Sequence, residues 1–190
     1  MQLNKKHKHF AIFKPYGYLS QFIVNGKKKT SKKLLGELFD FPAGTMAVGR
    51  LDEQSEGLLI LTTDGKTSYH ITSSKVEKEY YAQVDGDISE KAIKMLQNGV
   101  EISIEGIKYI TRPCEVRKIR NTPTLPERAR KIRDDRHGPT SWISITLREG
   151  KYRQVRKMTA VVGFPTLRLV RVRIDNILID EMKAGEVREL

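Results

Sequence analysis

The sequence predicts an α+β fold built on a mixed, mostly antiparallel sheet with flanking helices. Three observations support this fold class. Segments with strand and helix patterns are mixed along the chain without the strict strand–helix–strand alternation of a parallel sheet. A continuous apolar run at residues 58–61 is typical of a strand buried on both faces. The length of 190 residues and hydrophobic content of 38% suit one domain with room for an insertion.

The N-terminal part is predicted to alternate short strands and turns. Residues 1–9 read as a flexible basic tail, followed by a single domain over residues 10–190. Residues 10–13 form a short strand that Pro15 and Gly17 end in a turn. An extended piece over 18–24 leads to a hairpin turn at Asn25 and Gly26. Ser31 is the expected N-cap of a helix that runs to residue 39.

The middle of the chain combines helices and strands. The apolar strand at 58–61 is followed by a short helix after Gly65. Residues 78–84, with two tyrosines and a β-branched end, predict a further strand. A helix opens at residues 87–90 and closes at Gly99, and residues 100–120 hold one or two strands.

The C-terminal part begins with an insertion. Residues 121–138 are rich in Pro, Arg and Asp and lack periodicity, so we predict a long basic loop there. Alternation over 141–147 predicts a strand, helical spacing over 152–162 predicts a helix, and 166–174 form a further strand.

Composition restricts the class of partner. The formal net charge of +12 favours nucleic acid or an anionic membrane surface. No apolar run is long enough to span a bilayer and no signal peptide is recognisable, so a cytoplasmic location is expected. The single cysteine, Cys114, excludes an internal disulfide and a thiolate-rich zinc site.

The strongest candidate site lies just before the apolar strand. Arg50 and Asp52 occupy a turn bracketed by Gly49 and Gly57. Desolvating two charged side chains beside a core strand is costly unless they are paired or have a function. One interpretation is an ordinary solvated turn. Another is a catalytic aspartate, acting as a nucleophile or a base. A glycosidase would need a second carboxylate, for which Glu56 is available, but that chemistry makes no use of the positive charge.

Four ordered segments resemble the RNA pseudouridine synthases of the small-subunit type. Residues 49–65, GRLDEQSEGLLILTTDG, are similar to the family signature. The other three segments are KPYG at 14–17, KEY at 78–80 and EGKYRQVRKM at 149–158. Within the family, LSQF at 19–22, PTSW at 139–142 and VGFPTLRL at 162–169 resemble a branch that acts on the large ribosomal subunit and lacks an N-terminal S4-like domain.

The resemblance implies a fold with a central catalytic cleft and a function. That function is site-specific isomerisation of uridine to pseudouridine in 23S ribosomal RNA. Asp52 would attack the flipped-out uridine at C1′ or C6, Tyr80 would stack on its base and Arg156 would pair with Asp52. The residues implied in binding RNA are Arg50, which would help to open it, Val155, which would pack under the base, and Lys14, Lys78, Arg153 and Lys157.

The chemistry of the implied reaction is consistent with the absence of cofactor and metal motifs. Isomerisation needs no redox change, so neither a cofactor nor a metal is expected. The expected partner is 23S ribosomal RNA in free or partly assembled large subunits, bound by a monomer away from membranes. The alternative from another class is a non-catalytic RNA-binding factor for ribosome assembly, and a hydrolase that releases free base is a third possibility.

Overall fold

A nine-stranded mixed sheet forms the centre of the computed structural model, which describes residues 6–23, 31–73, 76–133 and 135–190. Its main path runs in the order β13-β1-β5-β11-β6-β10-β9, with β4 added to β5 and β12 to β11. Two small sheets pair β2 with β3 and β7 with β8. The strands are β1 (His9–Lys14), β2 (Tyr18–Leu19), β3 (Lys33–Leu34), β4 (Met46–Val48), β5 (Glu56–Thr62), β6 (Lys78–Asp85), β7 (Glu101–Ile104), β8 (Ile107–Ile110), β9 (Glu115–Ile119), β10 (Thr140–Leu147), β11 (Thr166–Ile174), β12 (Ile177–Leu178) and β13 (Val187–Glu189). The α-helices are α1 (Gly65–Thr72), α2 (Glu90–Asn98) and α3 (Gln154–Val161).

Pairing within the large sheet is antiparallel except between β5 and β11. The predicted α+β class with a mostly antiparallel sheet is therefore confirmed. The parallel pair aligns Val170 with Glu56 and Arg171 with Gly57. A Cβ at Gly57, where φ is +100°, would lie 2.3 Å from the Arg171 carbonyl oxygen, so only glycine allows this approach.

Strand β5 is covered on both faces, as its apolar run predicts. Leu58 and Ile60 pack with Ile71 of α1 in one cluster, whereas Leu59 and Leu61 pack in another. All four β5 residues have no exposed surface. Burial of each such side chain contributes about 1.5–3 kcal/mol. The turn that precedes β5 is thus attached to a strand that is buried along its whole length.

The helix predicted over 31–39 is wrong. Residues 33–34 pair in parallel with β2, and only a 3-10 turn, Leu35–Glu37, follows. Leu34 is extended, and its N–H donates to Glu37 Oε1 at 2.7 Å, which closes the turn. Gly36, a poor helix former, lies in that turn.

The domain begins ahead of residue 10, which corrects the predicted tail boundary. His9 starts β1 with 2% of its surface exposed, and the Lys8 N–H donates to Thr63 Oγ1 at 3.0 Å. Residues 1–5, Val24 at the end of the predicted 18–24 strand and the predicted Asn25–Gly26 turn lie outside the described residues. The strand before that turn covers only Tyr18–Leu19.

Other predicted elements hold with adjusted bounds. The strands predicted over 78–84, 141–147 and 166–174 and the helices after Gly65 and at 87–99 are present, whereas residues 100–120 form three strands rather than one or two. Helix α3 begins at Gln154 because Arg153 adopts a left-handed conformation with φ 52°. In the described part of the chain, no helix is long and apolar enough to cross a membrane.

The basic 121–138 loop packs back on the sheet. Arg168 of β11 donates to the Pro126 carbonyl oxygen at 2.7 Å, and Arg133 Nη1 donates to Asp85 Oδ2 at 3.0 Å. Its only regular structure among the described residues is a 3-10 turn, Asp135–His137. The loop is therefore attached at both ends rather than free.

Candidate active site

Asp52 lies in a turn that is held by its own backbone and by Ser20. Asp52 Oδ1 accepts the N–H of Gln54 at 2.9 Å, and its carbonyl oxygen accepts the N–H of Ser55 at 3.0 Å. Ser20 Oγ donates to the Leu51 carbonyl oxygen at 2.8 Å and accepts the Leu51 N–H at 2.9 Å. Gly49 permits the turn with φ +68°. These bonds orient one carboxylate oxygen and leave Oδ2 for other partners.

Two arginines reach that second oxygen. Arg153 Nη1 lies 3.2 Å and Arg156 Nε 3.5 Å from Asp52 Oδ2. Arg156 is further held by the carbonyl oxygens of Gln54, at 3.1 Å, and Thr166, at 3.3 Å. Burial lowers the pKa of the Arg156 guanidinium, and the charge of Asp52 opposes that shift. The structure thus brings Asp52 and Arg156 together and adds Arg153, which the sequence motif had assigned only to RNA.

Apolar side chains line the same cavity as the carboxylate. Asp52 lines a cavity of about 370 Å³, together with Tyr80, Val155, Leu51 and Leu169. Tyr80 is 9% exposed and Val155 4%, so both present ordered surfaces. The volume lies in the range of about 300–1,000 Å³ that is typical of pockets for small molecules, so it suits one nucleoside rather than a stacked base pair.

Arg171 supports Tyr80 from β11 and was not found from the sequence. Arg171 is paired with Tyr80 in the β11–β6 register, and its guanidinium carbon lies 6.0 Å from the centre of the Tyr80 ring. Its Nε donates to the Leu58 carbonyl oxygen at 2.7 Å. Tyr81 packs on the opposite side of the sheet, as strand alternation predicts. The signal that could have indicated Arg171 in the sequence is an arginine within an otherwise apolar strand segment.

Glu149 fixes the segment that carries both arginine partners of Asp52, with Arg153 just before α3 and Arg156 within it. Its carboxylate accepts hydrogen bonds from Tyr109 Oη, from the Arg112 N–H at 2.9 Å and from Gln154 Nε2 at 2.6 Å. Burial raises the pKa of Glu149, but these hydrogen bonds outweigh it and the pKa lies below its usual value. The charge therefore stays on Glu149 and holds the start of α3 in place.

The lysines predicted to bind RNA differ in access. Lys14 has no exposed surface and donates to the carbonyl oxygens of Pro15, at 2.9 Å, and Tyr18, at 2.7 Å. Its prediction as an RNA contact is therefore wrong. Burial lowers its pKa to about 8, with the charge of Asp52 as the main opposing effect. Lys14 is thus a buried cation behind the Asp52 turn.

Lys78 and Lys157 are partly buried and already bonded. Lys78 Nζ donates to the Val76 carbonyl oxygen at 2.9 Å, and burial lowers its pKa to about 8, reinforced by Arg171. Lys157 Nζ donates to the Ser103 carbonyl oxygen at 2.7 Å. Arg50, by contrast, is exposed and lines the mouth of the cavity. Only Arg50 and Arg153 of the predicted cations line the cavity itself.

Metal-binding clusters are absent from the described parts of the chain. No three His, Cys, Asp or Glu side chains come close enough there to hold an ion. The residues at the cavity offer one carboxylate, held by two arginines, beside the aromatic side chain of Tyr80.

Comparisons with known proteins identify relatives of this chain. Residues 8–161 match the family profile described as RNA pseudouridylate synthase. The chain is 41% identical to ribosomal large subunit pseudouridine synthase E of Xanthomonas campestris pv. campestris, over 92% of this chain and 91% of that protein. It is also 41% identical to the synthase E of Vibrio parahaemolyticus, over 100% of this chain and 76% of that protein.

Solved structures show the same fold. A crystal structure of a pseudouridylate synthase superposes with a TM-score of 0.74 at 27% sequence identity, covering 100% of this chain and 73% of that one. The resemblance predicted from four sequence segments is thus confirmed, and the chain belongs to the RNA pseudouridylate synthase family.

Proposed function

We propose that this protein isomerises uridine to pseudouridine in the RNA of the large ribosomal subunit, with Asp52 as the nucleophile. The observation that carries the proposal is the cavity of about 370 Å³ that Asp52 lines together with Tyr80 and Val155. The relatives named ribosomal large subunit pseudouridine synthase E support the choice of RNA. The net charge of +12 favours a polyanion as partner.

The reaction exchanges one bond of the ribose for another. The bond between N1 of uracil and C1′ breaks, the base turns, C5 joins C1′, the hydrogen on C5 leaves as a proton and N1 takes up a proton. Attack by Asp52 at either C1′ or C6 uses the same ionised carboxylate. Arg156 and Arg153 balance its charge, and the buried Lys14 adds positive potential from behind.

Entry to the cavity requires the target base to leave its stack. A cavity of this volume accepts one nucleoside, so the uridine is flipped out before it reaches Asp52. Tyr80 provides a stacking surface for the flipped base, and Val155 packs beside it. Arg50, exposed at the mouth, is placed to contact the RNA from which the base has left.

Release of tritium tests this proposal. Large-subunit ribosomal RNA labelled with tritium at C5 of uridine should release tritium to water with the wild-type protein and no added cofactor. Asp52→Asn keeps the shape but removes the nucleophilic charge, so its release should fall by at least about 1,000-fold while RNA binding persists. Asp40→Asn, at an exposed aspartate outside the cavity, is the matched control and should behave as wild type.

Product analysis separates the alternatives. Free uracil in the wild-type reaction would indicate a hydrolase. RNA binding with neither tritium release nor free uracil would favour the assembly factor, and a wild-type rate for Asp52→Asn would refute Asp52 as nucleophile.

A further inference from the structure

Tyr152 is a large aromatic side chain left open at the mouth of the Asp52 cavity. It lines the cavity and is 66% exposed, whereas Tyr80 inside the cavity is 9% exposed. A tyrosine that buries so little of its area contributes little to the stability of the fold. An exposed ring beside a site for one nucleotide therefore needs another explanation.

The backbone on both sides of Tyr152 is fixed. The Lys151 N–H donates to Gln154 Oε1 at 3.0 Å, and the Gln154 N–H returns to the Lys151 carbonyl oxygen at 3.1 Å. Gln154 is tied in turn to the buried Glu149 at 2.6 Å, and Arg153 is tied to Asp52 at 3.2 Å. Since Arg153 directly follows Tyr152 in the chain, the position of the ring is coupled to the position of the catalytic carboxylate.

One cation lies over the ring. Lys157 Nζ lies 5.2 Å from the ring centre and is itself anchored on the Ser103 carbonyl oxygen at 2.7 Å. Lys151 and Arg153 are its chain neighbours, and Arg50 lines the same cavity. An aromatic face within a basic groove is the arrangement that proteins use to stack unpaired bases while they hold the phosphates.

We propose that Tyr152 is a positioning residue that stacks on an unpaired nucleobase next to the target uridine. This inference rests on the proposed function, because it takes the uridine in the cavity as its reference point. A base that follows or precedes a flipped nucleotide loses a stacking neighbour, and the Tyr152 ring replaces it. Because the ring is held on the same loop as Arg153, this stack binds the strand beside the Asp52 cavity and adds to the affinity for RNA.

The first test compares ring-retaining and ring-deleting variants. Single-turnover tritium release is measured against protein concentration with labelled ribosomal RNA, and RNA binding is measured separately by filter retention. Tyr152→Ala should raise the half-saturating protein concentration by about 5- to 150-fold, the range expected for loss of one base–aromatic stack. Its rate at saturation should stay within about threefold of wild type, and Tyr152→Phe should match wild type in both quantities.

Tyr69→Ala is the matched control, since Tyr69 is 81% exposed on α1 and does not line the cavity. It should leave both quantities unchanged. If Tyr152→Ala binds RNA as tightly as wild type, the stack is refuted even though tritium is released. If wild type releases no tritium but Tyr152→Ala still binds more weakly, the proposed reaction fails and the stack stands.

The second test identifies the stacked base. After the target uridine is mapped, abasic nucleotides replace its two neighbours in turn. One of the two abasic replacements should weaken RNA binding by the wild type. The same replacement should not weaken RNA binding by Tyr152→Ala any further, because that variant already lacks the ring on which the base stacks. Additive losses at both neighbours would overturn the proposal, since a merely structural role of Tyr152 predicts no coupling.

Discussion

Asp52 lies in the turn before β5 and Glu56 at the start of that strand. Each carboxylate faces two arginines, yet their environments differ. Both oxygens of Glu56 are engaged by Arg168, at 2.9 Å and 3.1 Å, and Arg128 adds a contact at 3.2 Å. Its side chain is 2% exposed. Asp52 is 19% exposed, and its arginine contacts of 3.2 Å and 3.5 Å fall on a single oxygen.

The difference shows that pairing with arginine does not by itself mark a reactive carboxylate. Glu56 starts β5 inside the sheet and joins β11 to the 121–138 loop through Arg168 and Arg128, so it serves the fold. Asp52 precedes the strand and lines the cavity, which Glu56 does not. The glycosidase interpretation, which needed Glu56 as a second carboxylate, therefore lacks its geometry.

The largest expected effect comes from exchanging the two acids for neutral residues. Asp52→Asn should abolish tritium release but change the free energy of unfolding by at most about 1 kcal/mol, because the site remains partly hydrated. Glu56→Gln should instead lower the free energy of unfolding by about 3–5 kcal/mol, because it leaves Arg168 and Arg128 buried without a counter-charge. Denaturant titration of both variants checks this. A strongly destabilised Asp52→Asn and an unaffected Glu56→Gln would reverse the assignment.

A second contrast concerns the arginines of Asp52. Arg156→Ala should lower the saturating rate about 100-fold with RNA affinity within a few-fold of wild type, because one lost cation barely changes the total charge. Arg153→Ala should lower the rate less, because the Arg153 side chain is 30% exposed against 10% for Arg156 and water compensates for it. Single-turnover tritium release on both variants gives the comparison. Normal turnover by Arg156→Ala would make it a surface arginine of α3.

The smallest expected effect is a pH dependence of the free energy of unfolding. It is set by Lys14, whose charge interacts with the carboxylates of both Asp52 and Glu56. Burial lowers the pKa of Lys14 from 10.5 to about 8, with Asp52 and then Glu56 opposing the shift. Between these values the unfolded chain binds more protons than the folded one, so the free energy of unfolding should rise with pH, by at most about 1.4 kcal/mol per pH unit. Below about pH 8 the protonated lysine is present in both states and the slope disappears.

Unfolding of wild type and Lys14→Met between pH 7 and 10 isolates this contribution. Removal of the Asp52 charge should move the rise in the free energy of unfolding to lower pH. The move should be larger than the one caused by removal of the Glu56 charge, because Asp52 opposes the pKa shift of Lys14 more strongly than Glu56 does. Equal slopes for wild type and Lys14→Met would contradict the buried-cation interpretation.

Local patterns in the sequence were enough for the core, whereas the role of the Asp52 turn was predicted only from the family resemblance. The run at 58–61 predicts β5 because four adjacent apolar side chains can be covered only by packing on both faces, and the structure covers both. Gly57 was predicted to bracket a turn, whereas the structure places it within β5, where the Arg171 backbone approaches it closely. The ordered family segments predicted that Asp52, Tyr80 and Arg156 share one site. In the structure Asp52 and Tyr80 line the same cavity, and Arg156 pairs with Asp52.

Tertiary structure decided what depends on residues far apart in the chain. Residues 31–39 have a helical apolar spacing, yet pairing of Leu34 beside β2 prevents a helix. Lys14 reads as a surface cation in sequence but lies buried behind the Asp52 turn, and Arg153 reads as an RNA contact but also pairs with Asp52. Such contacts arise when β5 and β11 align in parallel and set the Asp52 turn against the loop before α3. They could not be predicted, because a local sequence window carries no information about which distant charge will be its neighbour.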